Sequence, residues 1–263
     1  YRRYKYHLHE EQLRSLLPFG IRQPIFQTLG NIYPRLSRAP RILRAKSTLL
    51  SLAKTATEGY FHEISIIRNP LRNSLYSDTF KKQLNEYSAL QVFKNHAARS
   101  QTNDPLALIQ YLDTHTYLVG DINTKVDRAS MAHSLEVREP LMDHKLIEWL
   151  ATLPSSMKIH NGETKYLFKK SMESLLPHEV MYRPKMGFAV PLARWFRGPL
   201  RKRVRESLFT GPIAESGWFN NQVISNIVDQ HDSGSADNST PIWTLLMFDA
   251  FLSNVMNTTV PAR

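Results

Sequence analysis

Apolar residues recur at intervals of three and four along most of this chain, and they almost nowhere alternate with period two. That pattern predicts helices with very little strand. Tyr1 to Leu17 has the spacing of an amphipathic helix, closed by Pro18 and Gly20. A short helix is expected between Pro24 and Pro34, and another over Ile42 to Ala53, led in by Pro40. A helix starting at Thr57 puts Tyr60, Phe61 and Ile64 on one face. The stretch IIRNPLRNSLYS reads as a turn-rich connection. Ser77 to Ala98 reads as one or two helices with Leu84, Tyr87, Leu90, Val92 and Phe93 inside.

Further along, the loop Ser100–Asp104 offers Asp104 as a cap and Pro105 as a first helical residue. The helix that follows, LALIQYLDTHTYL, should bury Leu106, Ile109, Leu112 and Leu118. Leu141 to Leu153 is helical up to Pro154, and Asp143 suits its cap. Met157 to Ile159 is a short extended piece before a turn at Asn161-Gly162. Helices are then expected at Thr164–Leu176, Leu192–Leu208, Trp218–Asp232 and Pro241–Met256. The third and fourth of these are separated by a Ser-, Gly- and Asp-rich loop, and Pro199 interrupts the second. The tail after Met256 should fray.

Composition narrows the function classes. The 263 residues suffice for one large domain or two small ones, and 42% hydrophobic with 22% charged is ordinary for a folded protein. The absence of cysteine excludes disulfides, thiolate metal sites and a cysteine nucleophile in this chain. No apolar run could span a bilayer and no secretory leader is present, so a cytoplasmic protein without membrane contact is expected. The net charge of +11 favours anionic partners. No nucleic-acid motif accompanies it, so a nucleic-acid partner is not expected. The first residue is Tyr1, which suggests a chain that begins inside something longer or was processed.

Candidate chemistry concentrates between Tyr117 and His144. Asp121, Lys125, Asp127, Arg128, Glu136, Arg138 and Asp143 lie there among apolar residues. Charges that are buried or half-buried need partners, either each other or a charged ligand. A second stretch, Tyr182 to Pro191, holds a single lysine, Lys185, in a short loop with Gly187 closed by prolines. The ten histidines show no ligand spacing, Ser130 and Ser134 have no base beside them, and no metal site is expected. No Ser-Gly-Gly or other glycine-rich phosphate cradle is present.

These two stretches resemble the C-terminal part of the synthetase domain of glutamine-hydrolysing asparagine synthetases and related amidotransferases. The matching blocks are Lys125-Val-Asp127-Arg128, Ser130-Met131-Ala132, Leu135-Glu136-Val-Arg138, Leu141-Met-Asp143, Gly162 to Lys169, and Arg183-Pro-Lys185-Met-Gly187-Phe188-Ala-Val-Pro191. Blocks in the family's order are far more specific than one short motif. The resemblance implies a mainly helical chain that is the C-terminal part of an α/β ATP-pyrophosphatase synthetase domain. The sheet and the phosphate-binding loops would lie in segments before Tyr1, as would a glutaminase domain. It implies ATP and Mg2+, held mainly by those earlier segments. Aspartate, or another carboxylate, would be adenylated and then amidated by ammonia from glutamine.

Within that likeness Lys185 and Glu136 match catalytic positions. Lys185 would meet the charge of the phosphates and of the tetrahedral intermediate. Glu136 would orient a partner or assist proton transfer from the amine. Arg128, Asp127 and Lys125 fall by the nucleotide and substrate pocket, where Arg128 could grip phosphate or carboxylate with two bonds. Each has a plainer reading: Lys185 as a surface lysine, Glu136 as the ion partner of Arg138 or Arg128, Asp127 and Arg128 as a local pair.

Val119, Asn123 and Glu139 depart from the family pattern, which has a proline, a leucine and an apolar residue there. Two alternatives stay open. One is a member acting on an exopolysaccharide sugar acid. The other is a non-catalytic helical module with a basic surface. Whether the assembly is a homodimer is open too.

Overall fold

The computed structural model describes residues 2–34, 45–183 and 190–256. It divides the chain into two units, Tyr1–Glu63 with Ser88–Met186, and Ile64–Tyr87 with Gly187–Arg263. Both are helical. The strands among the described residues are Ile159–His160 and Glu163–Thr164, paired antiparallel with Ile159 opposite Thr164. Asn161 and Gly162 join them with φ of 47° and 76°, the left-handed pair that a tight two-residue hairpin turn demands.

In the first unit, helices Arg2–Ser15, Phe19–Ile32, Lys46–Leu52, Ala56–Ile64 and Ala89–Arg99 are followed by Pro105–Asp113. Leu106, Ile109 and Leu112 are wholly buried on the last of these, the i, i+3, i+6 row that its sequence spacing sets out. Tyr60 and Phe93 are buried with them. Asp104 caps this helix by accepting the Ala107 N–H at 2.8 Å. The same carboxylate oxygen accepts the Ser155 hydroxyl at 2.6 Å, tying the cap to the turn after Pro154. Gly30 allows the Phe19–Ile32 and Lys46–Leu52 helices to meet closely: a Cβ there would lie 2.7 Å from Leu50 Cδ2.

The second unit packs helices Asn69–Leu75, Leu192–Arg197, Arg201–Thr210, Pro212–Glu215, Asn221–Asp232 and Ser239–Phe251 around an aliphatic core. Leu75, Phe196, Leu208, Ile224, Ile242 and Leu245 are each at most 2% exposed. Burying such side chains contributes roughly 1.5–3 kcal/mol apiece. Asp249 is buried near the C-terminal end of its helix and accepts the Ile213 N–H at 3.0 Å, supplying one of the donors that a short helix start leaves unpaired. The basic Leu192–Leu208 segment therefore packs on its own unit, turning at Gly198-Pro199 between two helices.

Several expectations need correction. Pro24 does not open a helix; it lies inside Phe19–Ile32, whose cap position is Pro18. Its ring costs the bond to the Gly20 carbonyl, but Gly20 is exposed and water can take that carbonyl. The turn-rich Ile66–Ser77 stretch contains the Asn69–Leu75 helix, with Pro70 in its first turn where its missing N–H does no harm. Ser77–Ala98, expected as one or two helices, is two, parted at Asn85 and Glu86, which both take positive φ. Tyr87 and Val92, expected inside, are exposed. Thr164–Leu176 shortens to Tyr166–Met172, because Thr164 pairs in the hairpin and Lys165 is left-handed. Among the described residues no helix is long and apolar enough to cross a membrane.

Candidate functional site

The helix that begins at Pro105 does not stop at Asp113. It widens into a π-helical segment, Thr114–Asn123, and resumes as α-helix over Thr124–Met131. π-Helical turns are rare and often occur at functional sites. This one has visible local causes. The Thr114 and Thr116 hydroxyls each donate to the carbonyl four residues back, at 2.8 and 2.6 Å, and Thr124 donates five back to Val119 O at 2.8 Å. Side-chain bonds of this kind compete with the backbone ladder. Gly120, weak in helix propensity, sits in the middle.

The charged residues of the Tyr117–His144 stretch follow directly. Lys125 and Arg128 are three apart on the Thr124–Met131 helix and so share one side of it. Lys125 reaches Asp121 at 3.4 Å, and Arg128 stands 3.9 Å from Asp127. The chain then turns through Ser134, which takes a positive φ, and runs without regular structure to Pro140. Glu136 accepts the Arg138 Nε–H at 2.8 Å, with Nη2 in ion-pair contact with the same oxygen at 2.7 Å. Asp143 caps the His144–Thr152 helix by accepting the N–H groups of Lys145 and Leu146.

These charges are not half-buried. The Arg128 and Glu136 side chains are 83% and 70% exposed. Their neighbours Val119, Met131, Leu135 and Leu141 are each more than half exposed too. Among the described residues this face has no cover, which is why the charges pair only with sequence neighbours. The structure thus brings Lys125, Asp127 and Arg128 together on one helix. It pairs Glu136 with Arg138 rather than with Arg128. Lys185 lies outside the described residues, as does the basic run Arg35–Arg44.

What sequence reading missed is the anchor of this face. Asp113, the last residue before the π-segment, accepts a hydroxyl from Tyr4 at 2.6 Å and another from Tyr60. Three helices distant in sequence therefore meet at one carboxylate. Burial, and then the hydrogen bond to that carboxylate, push the Tyr60 phenol well above its usual pKa. Arg3 lies 6.0 Å from the Tyr117 ring centroid, linking the first helix to the π-segment itself.

Beside this anchor is a buried polar network. Arg14 donates to Glu10 at 2.8 Å and to Ser51 through both its carbonyl and hydroxyl, and Ser51 donates to Glu10 at 2.7 Å. His7 is 4% exposed, set edge-on to Tyr60, with its pKa driven down to about 4 by burial and then by Arg14. It is therefore neutral at pH 7, and its 3.8 Å approach to Glu11 is not an ion pair. The available signal in the sequence was Asp113 itself, a lone acid in an apolar helix, where a carboxylate needs donors.

Comparison with known proteins decides what this arrangement belongs to. The family model described as asparagine synthase matches residues 1–253. The chain belongs to the asparagine synthase family. It is 31% identical over 216 residues to asparagine synthetase [glutamine-hydrolyzing] 1 of Bacillus subtilis, covering 77% of this chain and 34% of that protein. It is 32% identical over 246 residues to a Mycobacterium bovis protein provisionally named a glutamine-hydrolysing asparagine synthetase, covering 92% and 36%. The chain thus spans about a third of the length of the relatives it matches. No solved structure matches.

For an asparagine synthase family member the fit of the nucleotide and metal can be tested on the residues present. Arg128 and Lys125 are exposed cations on one side of a helix, the donor chemistry that phosphate oxygens accept. Among the described residues no three His, Asp or Glu side chains gather to hold a metal ion.

Proposed function

We propose that this chain is the C-terminal portion of the synthetase domain of an ATP-dependent, glutamine-hydrolysing asparagine synthetase. The overall conversion would be aspartate, glutamine, ATP and water to asparagine, glutamate, AMP and pyrophosphate. The single observation that carries the reading is the family match over residues 1–253, which contains all the blocks quoted above. A mainly helical chain supports it, since the parallel sheet of an α/β ATP-pyrophosphatase would be supplied by other segments. So would the glutaminase domain that releases ammonia and the ligands of Mg2+.

In this proposal the chain forms one wall of the synthetase pocket. Arg128 and Lys125 approach the phosphates, with Asp127 beside Arg128 at 3.9 Å. Lys185 stabilises the charge that develops when pyrophosphate leaves and ammonia attacks. Glu136, held by Arg138, takes a proton from the attacking amine. Such preorganised charges act on the transition state rather than on ground-state binding.

The test is pyrophosphate release by the complete enzyme with ATP, glutamine and aspartate. Aspartate-dependent release is expected, with Lys185→Met lowering kcat by about 10²-fold or more, the usual scale for removing one oxyanion donor. Arg128→Gln should chiefly raise the KM for ATP. Release that ignores aspartate but responds to a sugar acid would replace the acceptor while keeping the chemistry. No release with any carboxylate would sink the enzymatic reading.

A further inference from the structure

The second unit holds a feature that the proposed reaction does not use. Arg197, Arg201 and Arg205 stand four residues apart in a row, spanning the turn between the Leu192–Arg197 and Arg201–Thr210 helices. With Asp229, Asp232 and Ser233 they line a depression of about 350 Å3.

The hydrogen bonds show how the arginines are held. Asp232, with a side chain only 10% exposed, accepts Arg201 Nε at 3.0 Å and both Nε and Nη2 of Arg205, at 3.2 and 2.9 Å. Asp229 accepts Arg205 Nη2 at 2.6 Å and the Ser225 hydroxyl at 3.0 Å. Arg197 donates Nε to His231 O at 2.7 Å and Nη2 to Ala236 O at 3.4 Å. Its hydrogen-bond partners are neutral carbonyls, and the carboxylate on which its charge acts is Asp237. Arg201 is bonded through Nε to Asp232, and the residue lines the depression.

Three guanidiniums against two carboxylates leave the lining net positive. The carboxylates are occupied and serve to fix the guanidinium planes. A fixed fork of N–H groups over a positive floor suits a tetrahedral oxyanion better than a planar apolar ligand. The chain's net charge of +11 further raises the local concentration of anions.

We propose that this depression binds a phosphate monoester, with Arg201 and Arg197 as the principal donors. The phosphate could belong to a free metabolite or to a lipid headgroup. The experiment is a calorimetric titration of the full chain with glycerol 3-phosphate. In parallel, flotation with vesicles of phosphatidylcholine with and without phosphatidic acid separates the two sources. Saturable binding of the soluble ester, or binding to vesicles only when phosphatidic acid is present, is expected.

Arg201→Gln should weaken that binding tenfold or more. Arg203→Gln removes the same charge from the same helix outside the lining and should change it less than twofold. Arg201 is exposed, so its replacement leaves the fold intact, which a thermal melt verifies. Arg197→Lys, which keeps the charge but loses the fork, should weaken binding as well. Absence of saturable binding in both arms, or equal losses in the Arg201 and Arg203 variants, would overturn the proposal.

Discussion

Replacing Asp113 by asparagine probes the anchor beneath the candidate face. The aspartate accepts two tyrosine hydroxyls, from Tyr4 and Tyr60, one on each carboxylate oxygen. Asparagine is nearly the same shape but offers one acceptor oxygen, and its NH2 group meets the other hydroxyl. Hydrogen bonds to a charged group are worth roughly 1.5–3 kcal/mol, against about 1 for neutral pairs. One charge-assisted bond is lost and one is reduced to a neutral bond, so the expected destabilisation is roughly 2–5 kcal/mol. With an m-value of about 2 kcal/mol/M, that lowers the urea midpoint of the first unit by about 1–2.5 M. The assay is urea unfolding of the full chain followed by circular dichroism, with Tyr4→Phe and the double variant completing a cycle. Because Tyr4 and Asp113 touch, a coupling of about 1 kcal/mol is expected. Losses that add to within about 0.3 kcal/mol would refute the idea that one carboxylate holds both helices.

Acid should weaken the first unit through His7. Its folded pKa of about 4 lies below the ordinary 6.5, so the unfolded chain takes up a proton first as pH falls. Stability is full above pH 6.5 and declines as the pH drops towards 4, by up to about 3 kcal/mol. Glu10 works against this, since burial raises its pKa and the folded state binds that proton more readily. A His7→Gln variant should flatten the pH profile of the denaturation midpoint, and an unchanged slope would assign it elsewhere. In the second unit, Ile224→Ala should cost roughly 2–5 kcal/mol in a thermal or urea melt, because the side chain is wholly buried and leaves a cavity. Asn220→Ala removes the cap that accepts the Gln222 and Val223 N–H groups and should cost about 1 kcal/mol, most of it seen as fraying of Asn221–Asp232 by hydrogen exchange.

The sequence by itself determined the helical character, the caps at Asp104 and Asp143, the turn at Asn161-Gly162, and the core row Leu106, Ile109 and Leu112. Each depends on local chemistry: side-chain spacing, a carboxylate one residue before a helix, a residue pair that tolerates positive φ. The ordered blocks around Lys125, Glu136 and Lys185 carried the family in the same way, since order along a chain is a property of the chain. Tertiary structure decided the rest. Proline positions misled because Pro24 sits inside a helix where the carbonyl it leaves unpaired is exposed, and Pro70 sits in a helix's first turn rather than before it. The π-segment arose from threonine hydroxyls competing for carbonyls, an outcome that side-chain spacing does not encode. Tyr4, Tyr60 and Asp113 converge from three helices, and the Arg197–Arg205 row meets Asp229 and Asp232 across two. Such meetings depend on packing between elements, and one-dimensional order carries no record of which faces will touch.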